Sequence, residues 1–263
     1  MGNHIILTMT IFLVPIVFVV RARRGVTQAE VADERKEKVL CDHGEKSPLV
    51  VLTEGGRTLL GSRYLIGIAA IVGIYEVVST HIDYQFNTAV SAAIADRDAM
   101  SAYLGNVFGW ANFAALVIQL LLTSYVHRRF GVLYGLLFLP VTLLFGSVIF
   151  LFVPVLLVLT LTIAGEAAFG YSINQASKEI LYVPLDTISK YKSKAVIDMF
   201  VMRGAKALGG VFLIIYTLWL SRHGFTSKFI MGINVVGIVL WLGVVVYVGK
   251  IFLEKAQLEQ AKQ

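Results

Sequence analysis

The chain has 263 residues, 57% of them hydrophobic and only 15% charged, with a mean hydropathy of +0.76 and a formal charge of +6. Soluble domains are about 45–50% apolar and about 25% charged, so the surplus apolar surface must face lipid, which excludes a soluble enzyme, a disulfide scaffold and a disordered segment. At about 20 residues per spanning helix plus loops, six or seven spans fit and twelve do not.

Seven apolar segments follow in chain order, running roughly from Ile5 to Val20, Tyr64 to Thr80, Val107 to Val126, Gly131 to Phe150, Phe152 to Ala176, Ala195 to Leu220 and Phe229 to Phe252. No basic residue precedes the first segment, Arg21, Arg23 and Arg24 follow it, and no small-residue cleavage site stands between. It therefore reads as a retained helix with its start outside, not a signal peptide. The cut between the fourth and fifth falls near Phe152, because Pro154 suits the first turn of a new helix. The expected organisation is a single transmembrane helix (1–20), a cytoplasmic loop (21–63), a six-helix transmembrane bundle (64–253) and a cytoplasmic tail (254–263).

Basic residues fix the orientation. Nine lie between Arg21 and Arg63, two in the HRRFG turn, four from Lys178 to Lys194 and three from Lys250 onward, against only Arg97, Arg222 and Lys228 in the opposite loops. This asymmetry places the long loop and the C-terminus in the cytoplasm and accounts for the positive charge without nucleic-acid binding. The long loop mixes nine basic with seven acidic residues and has no sustained apolar stripe, as a flexible or partly helical linker would. Cys41 is the only cysteine, so neither an intramolecular disulfide nor a cysteine-rich metal site can form.

Charged side chains deep in a span cost about 2.5–3.5 kcal/mol each and usually face a bundle interior or a water-filled cavity. Glu76, Glu166, Arg203 and Lys206 are the candidates. On the second span Glu76, Thr80, Asp83 and Asn87 share one helical face, which extends that helix past Thr80 with a wet side. Asn112, Gln119 and Thr123 form an inward stripe on the third. Glu166, Gly170, Asn174 and Lys178 recur at intervals of four on the fifth. At about 1.5 Å per residue, Glu166 lies about 21 Å below the outer side, while Arg203 and Lys206 lie about 12 Å and about 16 Å above the inner side. A Glu166–Arg203 ion pair is thus expected, either as a structural lock or as part of an anion site made by Arg203 and Lys206. Gly204, Gly209 and Gly210 suit close helix packing or a hinge. No Walker loop, metal motif, nucleophile elbow or dinucleotide fingerprint is present, and all five histidines fall outside the marked spans, so no enzymatic activity, metal or cofactor is expected.

The stretch STHIDYQFNTAV, the HRRFG turn and above all QASKEILYVPLDTISKYKSKAVIDMFVMRGAKALGG, from Gln175 to Gly210, resemble the second half of the nucleotide transporter family, the ATP/ADP antiporters of the plastid and intracellular-bacterial type, and most closely its bacterial branch. The resemblance implies an all-α membrane protein whose seven helices correspond to helices six to twelve of a major-facilitator-like fold, with 21–63 as its central loop. It also implies a multi-pass protein of a bacterial inner membrane that exchanges nucleotides such as ATP and ADP by alternating access. The first five family helices have no counterpart here, and a cavity made between two halves needs both. An N-terminal-half partner, a second copy of the chain, or sequence beyond this one is therefore expected to complete it. Within such a cavity Arg203 and Lys206 would balance phosphate charge, Asn112, Gln119 and Asn174 would bond base or ribose, and Glu76 or Glu166 would compete for the cations or carry a proton. A proton-coupled transporter of another organic anion, and a membrane scaffold or sensor that keeps the fold without transporting, are the alternatives.

Overall fold

Apolar runs longer than a bilayer is thick can satisfy their backbone in lipid only as helices, and the computed structural model, which describes residues 48–260 apart from Phe225, is helical throughout with no strand among the described residues. A short helix α1 (Pro48–Leu60) precedes α2 (Arg63–Ala93), α3 (Arg97–Arg129), α4 (Val132–Phe152), α5 (Leu156–Leu181), α6 (187–223) and α7 (Ser227–Gln260). Helices α2 to α7 are the six among the described residues that are long and apolar enough to cross a membrane. The chain is a multi-pass, all-α integral membrane protein. By contacts it divides after Val50, and the bundle described here is the unit from Val51 onward. The expected first span and most of the expected loop lie outside the described residues, while the end of that loop is the helix α1.

The helices run longer than their apolar stretches. At 31 residues α2 extends for about 46 Å, well beyond a hydrocarbon core of about 30 Å, and it carries the anticipated wet side past Thr80. Helix α3 begins ten residues before Val107, because Asp96 caps it by accepting from the Ala99 amide at 2.8 Å. Asp186 starts α6 in the same way through Ser189, at 3.0 Å. Pro154 stands in the break between α4 and α5 and not in the first turn of α5. The residue before a proline avoids helical geometry, and Val153 accordingly leaves the helix at φ −124°, ψ 82°. Gly131 makes the α3–α4 turn at φ +85°, where a side chain would be strained.

The core lies where α5 and α7 pack against both α2 and α4. Ile68, Ile71, Ile82 and Phe86 of α2 pack with Leu136, Leu139 and Leu143 of α4, Leu159 of α5, and Ile238, Trp241 and Val245 of α7, all of them fully buried. Tyr64 donates to the Leu181 carbonyl at 2.6 Å, joining α2 to the far end of α5. The hydroxyls of Tyr103 and Thr160 meet at 2.6 Å between α3 and α5. Lys192 of α6 binds Glu54 of α1 at 2.7 Å. His81, expected outside the membrane core, is instead buried within the extended α2, with Nδ1 2.9 Å from Asn234 Oδ1 of α7.

Helices α3 and α6 are the least covered. Only 17% and 22% of their most apolar stretches are buried, against 56% for α2. Four π-helical turns interrupt the described helices, at Ile118–Leu122 in α3, Gly170–Asn174 in α5, and Ile197–Val201 and Tyr216–Leu220 in α6. Two of these decide which residues reach the site.

Candidate functional site: a charged cavity between α2, α3, α5 and α6

A cavity of about 410 Å³ opens where the sparsely covered α3 and α6 flank α2 and α5. Helix α2 contributes Tyr75, Glu76, Ser79 and Asp83 at helical spacing, and α3 adds Phe108 and Asn112. Helix α5 contributes Ile163, Glu166, Ala167, Gly170, Tyr171, Gln175 and Lys178, and α6 contributes Met202 and Lys206. The wall thus holds three carboxylates, two ammonium groups, two amides and three aromatic rings.

Glu76 and Lys206 form an ion pair at 3.5 Å, in which the Glu76 side chain is 8% exposed and that of Lys206 60%. The lysine is therefore tethered by a buried anion while its head stays open to the cavity. Glu166 is also buried, at 6% exposure. Its Oε2 has no hydrogen-bond partner, and the hydroxyls of Tyr75 and Ser79 are the neutral groups that face its carboxyl. Lys178 stands over the Tyr75 ring, 5.8 Å from its centroid, a cation–π arrangement that keeps the ammonium beside the cavity without neutralising it.

A second cavity, of about 270 Å³, shares Gln175, Lys178 and Met202 with the first and continues to Glu179, Tyr182, Lys194 and Asp198. Lys194 binds Glu179 at 2.6 Å there, and Gln175 donates to the other Glu179 oxygen at 3.4 Å. Burial pushes the Tyr182 hydroxyl up, so it stays a neutral donor. Together the two cavities make a polar track from Asp83, on the wet side of α2, to the end that carries Lys190, Lys192 and Lys194.

Of the residues singled out in the sequence, Glu76, Asn112, Glu166 and Lys206 meet in this cavity. Gln119, Asn174 and Arg203 do not line it. Gln119 is exposed on the π turn of α3, Asn174 is 2% exposed in the packing of α5, and Arg203 is exposed on α6. The expected Glu166–Arg203 ion pair does not form, and the cation that meets a carboxylate is Lys206, on Glu76. Equal depth along two helices says nothing about rotation around them. The π turn Ile197–Val201 inserts one residue just ahead of Arg203 and turns everything after it by about 100° relative to a regular helix.

The same effect accounts for Asn174. Spacing of four from Glu166 through Gly170 leads to Asn174, but the π turn Gly170–Asn174 widens the step to five, so Gln175 reaches the cavity in its place. Tyr75, Ser79, Phe108, Tyr171, Gln175 and Met202 carried no charge to draw notice, although Tyr75, Ser79 and Asp83 repeat at four and four, a signal that was available. Asp83 and Lys178 stood on the marked stripes, and both line the cavity. Among the described residues no three His, Cys, Asp or Glu side chains converge to hold a metal ion.

The model of the TLC ATP/ADP transporter family matches residues 2–166 and 165–252 of the chain. Over 229 residues the chain is 23% identical to ADP,ATP carrier protein 1 of Chlamydia trachomatis, covering 80% of this chain and 43% of that protein. It is 23% identical over 256 residues to ADP,ATP carrier protein 2 of the same organism, covering 88% and 45% respectively. With the chloroplastic ADP,ATP carrier protein 1 of Arabidopsis thaliana it shares 24% identity over 219 residues, covering 67% and 35%. The chain spans less than half the length of these curated relatives. No solved structure matches it significantly.

Proposed function

The chain belongs to the TLC ATP/ADP transporter family, and from that premise we propose that it forms one half of a carrier that exchanges nucleotides such as ATP and ADP by alternating access. The observation that carries this reading is the cavity itself. Lys178 and Lys206 offer two separated ammonium groups for phosphate oxygens, while Phe108 and Tyr171 offer ring faces and Asn112 and Gln175 offer amides for base or ribose. Arg203, Gln119 and Asn174, which lie off this cavity, bear on substrate only through a rearrangement or through a surface supplied by the complementary half.

Glu76 sets the exchange. It holds Lys206 at 3.5 Å; an arriving phosphate competes for the same ammonium, and on its departure Glu76 takes the lysine back. A carrier that must release what it binds needs such a competitor, because uniformly tight binding would trap the substrate. Two lysines are too few for a nucleoside triphosphate, so the remaining positive charge comes from the complementary half, whether sequence beyond this chain, an N-terminal-half chain or a second copy.

The basic end of the bundle, with Arg128, Arg129, Lys190, Lys192 and Lys194, lies in the cytoplasm together with the C-terminus, and the chlamydial relatives favour a bacterial inner membrane. The test is uptake of labelled ATP into liposomes preloaded with ADP, with the chain reconstituted alone and together with a candidate N-terminal half. Uptake that requires internal ADP and both components is expected. Its absence with both components present, in protein shown to be folded, overturns the reading.

A further inference from the structure

We infer that Glu166 is a proton-binding site that sets whether this cavity accepts an anion. The residue is buried, lines the cavity, and has one carboxyl oxygen with no partner. A carboxylate in such a place is stable only beside a cation or several donors, and of the cavity's two ammonium groups Lys206 is engaged by Glu76 and Lys178 stands over the Tyr75 ring.

The groups around Glu166 come from every helix packed on it. Helix α2 brings Glu76, Asp83 and the hydroxyls of Tyr75 and Ser79, while α6 brings Lys206. Tyr171 and Lys178 share its own helix, α3 presents Asn112 and Phe108, and α4 has Tyr134 as its only titratable side chain, tilted against Phe130 at the basic end. Lys178 and Lys206 are thus matched in charge by Glu76 and Asp83. An ionised Glu166 would leave the cavity net negative and repel phosphate, whereas the neutral acid leaves it balanced. The proton passes between the Glu166 carboxyl and cavity water, and no other group changes its covalent state. The link to nucleotides rests on the function proposed above; the proton site itself does not.

Two measurements on the full chain in liposomes test this. The first is the infrared stretch of a protonated carboxyl at neutral pH, recognised by its downshift in heavy water. It is expected in the wild type, lost in Glu166→Gln, and retained in Glu76→Gln. A Glu166→Asp variant, in which the band shifts and does not vanish, guards against a folding defect in the glutamine variant. A band unchanged by all substitutions at Glu166, or absent from the wild type, overturns the inference.

The second is calorimetric titration with ATP in buffers of different ionisation enthalpy, which counts protons taken up on binding. Uptake that rises as the pH is made alkaline is expected in the wild type and lost in Glu166→Gln, and uptake that persists in that variant also overturns the inference. If ATP does not bind at any pH while the infrared band is assigned to Glu166, the nucleotide reading fails and the proton site stands.

Discussion

Removing one partner of the Glu76–Lys206 pair has unequal consequences, because the two ends are unequally buried. Glu76→Gln frees an exposed lysine, whereas Lys206→Gln leaves a buried carboxylate without its ion-pair partner, the more costly orphan at about 1–3 kcal/mol or more. Lys206→Gln is therefore expected to lower nucleotide uptake by about 10-fold or more, equivalent to about 1.4 kcal/mol. Glu76→Gln should tighten ATP binding while slowing turnover, since the competitor that returns the lysine is gone. The double variant should lose less than the two single losses combined, the signature of a coupled pair. Arg203→Ala should change uptake far less than Lys206→Gln. An equal loss in both would return Arg203 to the binding site. Charge marks Glu76, Glu166, Arg203 and Lys206 alike and does not say which of them line the cavity, because azimuth after a π turn is not written in depth.

Among the elements, the boundaries that escaped the apolar pattern are those set by capping. The ends of α3 and α6 are fixed by Asp96 and Asp186, polar residues outside any hydrophobic run, so a reading from apolarity starts both helices too late. Asp186→Ala should destabilise the first turn of α6 by about 1 kcal/mol. The Ser189 amide that donates to this carboxylate holds it below the usual carboxylate range. The cap's contribution is therefore complete above the unfolded value of about 3.9 and is lost as pH falls through the folded one. The protection factors of the amides near Ser189, corrected for the intrinsic pH dependence of exchange, should fall on acidification in the wild type and lose that dependence in Asp186→Ala. Between α4 and α5 the decisive feature is a close approach: a Cβ on Gly146 would collide with the Thr162 side chain, which itself donates to the Val158 carbonyl at 2.7 Å. Gly146→Ala should lower thermal stability, and Gly146→Ala with Thr162→Ala should recover part of it. Glycine at that position looked unremarkable in the sequence, since the atom it makes room for comes from a neighbouring helix.

For the whole molecule, the uneven covering of the helices is the informative quantity. Helix α2 is enclosed by α5, α6 and α7, whereas α3 and α6 expose Trp110, Phe113, Leu120, Leu208 and Leu218 together with Gln119, Arg203 and Lys206. Apolar side chains are at home against lipid, but a lysine or arginine there costs about 2.5–3.5 kcal/mol, so the polar part of these faces must meet protein or water. The charged cavity lies between those same two helices, and the chain accounts for less than half of its relatives' length. A complementary surface over α3 and α6 answers both facts at once. In a Cys41→Ser background, Gln119→Cys and Ala207→Cys should react readily with a membrane-impermeant thiol reagent when the chain is reconstituted alone, and become protected when the complementary half is present. Protection in the chain alone, falling on dilution into excess lipid, would identify a second copy as the covering surface. Equal labelling under every condition would mean that these faces line open water, and would remove the reason to expect a second half.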